Sequence, residues 1–198
     1  MKKLLQIGCL LFLAACGGGP GTGTVGQGRA PSNLDNACAI LAERPGYLRA
    51  FRAAERKWGV PVHVQMATIY QESKFIRDAR TPLRFALGVI PIGRQSSAYG
   101  YSQALDATWK EYQELEGGRR TRRDDIWDAT DFMGWYMAET RRSLGIPLSD
   151  ARNQYLAYHD GRTGYRRGSY RAKPWLVRIS GEIEARAAMY QVQLPRCS

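Results

Sequence analysis

The sequence has little of what metal centres, membrane-spanning proteins and repeat proteins require. It has two histidines, His63 and His159, and four cysteines, and their spacing does not match a zinc motif. No run of 18 apolar residues is present, so we expect no bilayer-spanning helix. An internal repeat and a heptad array are also missing, which excludes a solenoid or a coiled coil. We therefore expect one irregular globular domain without a metal.

The composition is that of a folded protein with surplus positive charge. The length of 198 residues suits a single domain of ordinary size. Hydrophobic residues make up 44% and charged residues 24%, which excludes intrinsic disorder for most of the chain. Lys and Arg total 29 against 18 Asp and Glu, a formal charge of +11. Such a charge attracts anions, whether nucleic acid, an acidic membrane surface or an acidic polymer.

The N-terminus has the pattern of an export signal. Lys2 and Lys3 precede an apolar segment over 4–15, whose length is that of a signal-peptide core. It ends in Leu-Ala-Ala-Cys16, which resembles the bacterial lipobox, where the cysteine is lipidated and becomes the first mature residue. We expect a leader over 1–15 and a mature chain of 183 residues with charge +9. The alternative is an ordinary signal peptide with a chance cysteine.

These features predict a lipid-anchored protein of the cell envelope. Gly17 follows the cysteine, and by resemblance to enterobacterial sorting it indicates the periplasmic face of the outer membrane. Residues 16–35 are rich in glycine and predict a flexible tether, which leaves 36–198 as the domain. Two features argue against nucleic acid as a partner: the expected export, and the lack of a recognised nucleic-acid-binding motif in the chain.

Cysteine usage indicates one disulfide. Cys9 leaves with the leader and Cys16 carries lipid, so Cys38 and Cys197 remain, one near each end of the domain. In an oxidising compartment we expect these two to be bonded. Two buried free thiols are the alternative.

Apolar residues recur at helical spacing along most of the domain. The pattern predicts helices over 47–58, 61–73, 105–112, 128–144, 149–158 and 174–190. Gly59 and Gly145 are expected to cap two of them, and Ser149 to begin the fifth. No convincing pair of strands is visible, and 81–96 is interpreted as a surface loop. The fold class is therefore mainly α.

The second helix has a polar stripe beside its apolar one. Gln65, Thr68 and Glu72 lie at i, i+3 and i+7, so we expect them to face a cleft. Glu72 is at the C-terminal end of the helix, where the helix dipole opposes ionisation of a carboxylate. Apolar neighbours such as Phe75 would raise its pKa further. A carboxyl that stays protonated near neutral pH suits a general acid.

Three short segments follow one another along the chain: Glu72-Ser-Lys-Phe75, Ser97-Ala-Tyr-Gly-Tyr-Ser-Gln103 and Ala157-Tyr-His-Asp-Gly161. They resemble the motifs Glu-Ser-x-Phe, Gly-Ala-x-Gly-Leu-Met-Gln and Ala-Tyr-Asn-x-Gly of the lytic transglycosylase family with a goose-type-lysozyme-like fold. The resemblance covers about 60–165. His159 stands where the family has Asn, and Ser97, Tyr101 and Ser102 also depart from the pattern.

The resemblance implies a monomeric, lysozyme-like enzyme that cleaves peptidoglycan glycan strands without a cofactor. Glu72 would protonate the glycosidic oxygen and then deprotonate the muramyl 6-hydroxyl, leaving a 1,6-anhydro sugar. Sugar contacts are expected from Ser73, Gln103, Tyr158 and Tyr99, with the Tyr158 hydroxyl orienting Glu72 or an N-acetyl group. Glycosidases with two acids need a second carboxylate. Asp78, Asp106 and Asp160 could provide it, but each is better explained as a loop, helix-surface or turn residue.

Two other functions fit the same sequence. A lysozyme-like hydrolase would share the fold and release reducing ends instead of 1,6-anhydro ends. A non-catalytic wall-binding lipoprotein would keep the fold without the chemistry, although Glu72 within its motif argues against that interpretation.

Overall fold

The structure, a computed structural model, describes residues 28–197. The predicted leader, Cys16 and the first part of the predicted tether, 16–27, lie outside the described residues. Within 28–197, no helix has both the length and the apolar character needed to cross a membrane.

The described chain is mainly α-helical, which confirms the predicted fold class. Its α-helices are α1 (Ala37–Glu43), α2 (Tyr47–Trp58), α3 (Val62–Ser73), α4 (Asp106–Tyr112), α5 (Ile126–Leu144), α6 (Ala151–Arg167) and α7 (Pro174–Gln193). Shorter helical turns cover Gln113–Gly117, Ser169–Ala172 and Leu194–Arg196. The expected caps at Gly59 and Gly145 are present, each in the left-handed conformation that ends a helix.

Two helices begin two residues away from their predicted starts, because aspartates cap them. Asp125 accepts hydrogen bonds from the backbone nitrogens of Trp127 and Asp128, so α5 starts two residues earlier than expected. Asp150, and not Ser149, accepts from the backbone nitrogen of Asn153 at the start of α6. Both aspartates satisfy backbone donors that have no partner within the helix.

Helix α6 also runs past its predicted end at Tyr158 and has a break at Gly161. Gly161 has φ 73° and ψ 156°, a conformation that side-chain-bearing residues rarely adopt. This glycine closes the third family-like segment, and it changes the direction of the chain immediately after Tyr158 and His159.

The prediction of no strand pair is wrong. Residues Leu83–Ala86 (β1) and Ile90–Arg94 (β2) form an antiparallel hairpin within the segment interpreted as a loop. Its turn places Leu87 and Gly88 at positive φ, and Val89 donates a backbone hydrogen bond to Ala86. A Leu-Gly turn lacks the usual Asn-Gly signal, and neither strand alternates in burial, so the sequence pattern does not reveal the hairpin.

Two groups of buried side chains hold the helices together. The larger lies among α1, α2, α3, α5, α6 and α7 and includes Phe51, Met66, Ile69 and Leu176. The smaller is aromatic and joins α4 to α5 through Trp109, Tyr112, Phe132, Trp135 and Tyr136. A ring of the smaller group, Tyr136, packs edge-to-face on Tyr158 of α6 at 5.1 Å. The aromatic group therefore fixes one wall of the space between α5 and α6.

The two ends of the described chain meet. Cys38 and Cys197 form the expected disulfide, with a Cα–Cα distance of 4.9 Å. The predicted tether ends earlier than residue 35, because Pro31 is buried and the Leu34 carbonyl accepts a hydrogen bond from the Tyr190 hydroxyl. Asp35 pairs with Arg186 at 2.8 Å. Packing of this segment on α7 thus extends the domain towards the N-terminus.

Candidate active site

A cleft of about 290 Å³ brings the three family-like segments together. The end of α3, the loop before α4, and helices α4, α5 and α6 contribute to it, and the stem of the hairpin closes one side. Its lining residues are Glu72, Thr81, Ala98, Gln103, Ala104, Leu105, Thr108, Phe132, Tyr136, Tyr158 and His159. Glu72 is the one carboxylate among them.

The last turn of α3 fixes the position of Glu72. The next-to-last residue of the helix is Glu72, and the helix ends because Lys74 and Phe75 both have positive φ, 54° and 61°. Left-handed conformations are costly for residues with side chains, so tertiary contacts must stabilise the two residues in this conformation. Phe75 is fully buried and stacks on Tyr47, with 6.3 Å between ring centroids. The burial of Phe75 explains why an aromatic residue follows the Glu-Ser pair.

The surroundings of Glu72 favour its protonated form. The side chain reaches the cleft but is closely surrounded by protein atoms, and this burial raises its pKa from 4.5 to about 7. A hydrogen bond from the Tyr155 hydroxyl and the positive charge of Lys74 lower the pKa, and they are the weaker effects. Glu72 thus exchanges a proton near neutral pH, as a general acid and base must.

The second family-like segment is a tight turn next to the cleft. Gly100 has φ 77°, and a Cβ at this position would lie 2.1 Å from the Arg123 carbonyl oxygen, so only glycine fits. Gln103, also at positive φ, donates from Nε2 to the carbonyls of Ala79 and Gly100, each at 2.9 Å. These bonds hold Gln103 at the cleft, with its Nε2 donors used and its side-chain carbonyl without a donor from the protein in the described residues.

Two roles were predicted for Tyr158, to contact the sugar and to orient Glu72, and two different tyrosines of α6 are placed for them. The Tyr158 ring lines the cleft, but its hydroxyl donates to the Ser102 carbonyl at 2.7 Å instead of to Glu72. Tyr155, one helical turn earlier, provides the hydrogen bond to Glu72. Tyr155 was not predicted from the sequence as a site residue, although its position three residues before Tyr158 places it on the same helix face.

The polar stripe of α3 does not face the cleft as a whole. Gln65 is fully buried and donates to the carbonyls of Phe51 and Val60. Thr68 is buried as well, and its hydroxyl donates to a carbonyl of its own helix. Of the three stripe residues, only Glu72 lines the cleft.

Ser73 and Tyr99 also lie away from the cleft lining. The Ser73 hydroxyl is buried and donates to the Ile69 carbonyl at 3.2 Å, and Ser73 is not among the residues that line the cleft. Tyr99 is half-buried beneath the guanidinium groups of Arg80 and Arg123. Both side chains support the backbone around the cleft.

None of the three alternative acids faces the cleft. Asp78 is exposed outside it, and Asp106 pairs with Arg123 at 2.8 Å. Asp160 is covered, with 1% of its side chain exposed, and it accepts from Lys173 Nζ at 2.6 Å and Ser169 Oγ at 2.7 Å. Burial raises the pKa of Asp160, but the hydrogen bonds from Lys173, Ser169 and His159 outweigh it, so the net pKa is lowered.

The departure at His159 brings a ring into the cleft. His159 lines the cleft, and its Nδ1 lies 3.1 Å from Asp160 Oδ1. The ring also packs edge-to-face on Trp175 of α7 at 5.2 Å. Asp160 and Trp175 together fix the orientation of the histidine.

A larger hollow of about 530 Å³ lies elsewhere, around His63 and the start of α6. Its acids are Asp150, which caps α6, and Glu184, which pairs with Arg152 at 3.8 Å. Glu72 is not part of it. Because both acids have structural partners, the smaller cleft is the better candidate. No group of three metal-ligating side chains occurs among the described residues.

Fold and cleft together define a lysozyme-like helical domain with a single carboxylic acid in its cleft. The sequence profile of the family described as "Transglycosylase SLT domain" matches residues 4–197, and the chain therefore belongs to that family. Membership supports lytic transglycosylase activity on peptidoglycan in general. No curated protein matches the chain.

Proposed function

We propose that this protein cleaves the β-1,4 bond between N-acetylmuramic acid and N-acetylglucosamine and leaves 1,6-anhydromuramyl ends. The observation that carries the proposal is the cleft's single carboxyl, Glu72, with its pKa raised by burial to about 7. Enzymes that hydrolyse glycosides with two acids need a second carboxylate within about 10 Å across the scissile bond. A single acid instead suits an intramolecular attack by the substrate.

Glu72 acts twice in this reaction. Its carboxylic acid first gives a proton to the glycosidic oxygen as the C1–O bond breaks, and the substrate's N-acetyl group supports the positive charge at C1. The carboxylate then takes the proton of the 6-hydroxyl as O6 bonds to C1. The product is the 1,6-anhydro sugar, and Glu72 ends protonated as it began.

Other residues of the cleft position the substrate. The half-buried ring of Tyr158 provides an apolar face for a sugar, and the buried rings of Phe132 and Tyr136 form the apolar wall of the cleft. Gln103 offers its side-chain carbonyl to hydroxyl or amide donors. Tyr155 acts through Glu72, by holding the carboxylate with a hydrogen bond, and is therefore a positioning residue.

The decisive experiment is mass spectrometry of the fragments released from purified sacculi. We expect anhydromuropeptides from the wild type and a loss of about 10³-fold in rate for Glu72→Gln, since general acid–base catalysis contributes 10² to 10⁴. Glu114→Gln, an exposed glutamate on the turn after α4, is the matched control and should cleave normally. Reducing-end products would show a hydrolase, and an active Glu72→Gln variant would remove Glu72 from catalysis.

We further propose that Cys16 carries lipid and anchors the protein at the periplasmic face of the outer membrane. The lipobox-like sequence and Gly17 support this assignment. Labelling of expressing cells with a fatty-acid analogue should mark the wild type and not Cys16→Ser. Equal labelling of both chains would contradict the anchor.

A further inference from the structure

The β1–β2 hairpin exposes an unusual concentration of apolar side chains. Eleven large hydrophobic residues are exposed among residues 28–197, and six of them lie in this hairpin, within ten consecutive residues. They are Leu83, Phe85, Leu87, Val89, Ile90 and Ile92, with exposed fractions from 45% to 90%. An isolated two-stranded hairpin is marginal in water, and a patch of this kind indicates an interaction surface.

Apolar character and charge are separated along the hairpin. The turn and the start of β2, 87–92, contain no charged residue, whereas Arg84 and Arg94 lie nearer the stem and Arg80 just before it. No acidic residue occurs between Asp78 and Asp106. Arg84 is exposed, and its guanidinium group forms no ion pair or hydrogen bond within the described part of the chain. The hairpin therefore has an apolar tip above a cationic stem.

We propose that this hairpin inserts its tip into the surface of an anionic phospholipid bilayer. The apolar tip fits the boundary between headgroups and acyl chains, where amphipathic elements enter by about 5–10 Å. The strands are long enough, because five residues of β2 extend over about 16 Å. The arginines would then remain at the level of the lipid phosphates, which attract guanidinium groups.

The position of the N-terminal end agrees with this orientation. Gly28, the first described residue, lies next to Asp78, whose Oδ1 would be 3.7 Å from a Cβ at Gly28. Asp78 is three residues before Thr81, at the stem of the hairpin, so the described part of the chain begins beside the same stem. A lipid on Cys16 and the hairpin tip can thus meet one bilayer.

Insertion would also place the active-site cleft near the membrane. Thr81 lines the cleft, and its hydroxyl donates to the Ser96 carbonyl across the stem of the hairpin. Arg94 donates to the Thr81 carbonyl at 2.6 Å, which fixes the stem to the cleft wall. The hairpin thus restricts which glycan strands the enzyme meets. The inference does not depend on the proposed chemistry at Glu72.

A tryptophan placed at the tip tests insertion directly. In the full chain, Leu87→Trp should show a blue-shifted emission, relative to the wild-type spectrum, with phosphatidylglycerol vesicles. Brominated lipids should quench the added emission. Leu115→Trp, at an exposed leucine outside the hairpin, is the matched control and should not respond. Adding Arg84→Glu to the Leu87→Trp variant reverses one charge of the stem. It should reduce the fraction of protein whose emission is blue-shifted by vesicles about tenfold. Addition of 0.5 M salt should have the same effect.

Three results would overturn the proposal. The first is binding of the protein to vesicles without any change in the Leu87→Trp emission, which would leave binding to the N-terminus. The second is an emission change caused by sacculi and not by vesicles, which would make the hairpin a lid over glycan. The third is a change that depends on protein concentration without lipid, which would indicate self-association. Cleavage of soluble glycan by Leu87→Trp reports the Glu72 chemistry separately.

Discussion

Glu72 on α3 and Asp160 on α6 are two largely covered carboxyl groups, and their surroundings shift their pKa values in opposite directions. Glu72 has a tyrosine hydroxyl as its hydrogen-bond partner, and burial raises its pKa to about 7. At Asp160 burial is outweighed by hydrogen bonds from Lys173, Ser169 and His159, so its pKa is lowered. A nearby cation and several donors make a carboxylate structural, and their scarcity makes a carboxyl reactive.

Isosteric amide substitutions at the two positions should therefore have opposite effects on stability. A raised pKa means that ionising Glu72 destabilises the folded state, so wild-type stability falls as pH rises from 4.5 to about 7. Glu72→Gln removes this penalty and should be more stable than the wild type above pH 7, by up to about 3 kcal/mol. Urea unfolding at pH 5 and pH 8 measures the difference. Equal stability at pH 8 would contradict the raised pKa.

Asp160→Asn should instead destabilise the protein, by about 2 kcal/mol at neutral pH, because it removes charge-assisted hydrogen bonds. A lowered pKa contributes stability above the unfolded value of 3.8 and loses it as pH falls through the lower folded value. The deficit of the variant should therefore shrink below about pH 4. Cleavage of sacculi should persist, and its loss to the level of Glu72→Gln would erase the distinction between the two acids.

A smaller effect is expected at the hydroxyl that contacts Glu72. Tyr155→Phe removes a hydrogen bond that lowers the pKa of Glu72, so the fall in cleavage rate at alkaline pH should move to higher pH. We also expect kcat to fall about tenfold, since a positioned carboxylate loses one charge-assisted bond.

Tyr158→Phe is the matched control for this prediction. Its hydroxyl donates to the Ser102 carbonyl and not to Glu72, so the alkaline limb of the pH–rate profile should stay in place. A shift in the control, or none in Tyr155→Phe, would assign the support of Glu72 to a different group.

Helical segments with clear apolar spacing and glycine caps were predictable from the sequence. Helix α2 with Gly59 and helix α7 after Pro174 lie where the pattern predicts them. The starts of α5 and α6 were misplaced because Asp125 and Asp150 satisfy the first backbone donors, and several nearby side chains can serve as caps. The hairpin was missed because its apolar residues are exposed, so burial imposes no alternation on either strand.

The mainly helical fold, the family and the candidate acid Glu72 were predictable from the sequence, since they depend on local spacing and on short motifs. Which polar side chains reach the cleft depends on how the helices pack. Gln65, Thr68 and Ser73 share a helix with Glu72, yet packing against α2 and α7 leaves their polar groups bonded to backbone carbonyls. Tyr155 reaches Glu72 because α6 crosses the end of α3. Hydrogen bonds and burial of this kind depend on how helices distant in sequence pack together, which spacing along one helix does not record.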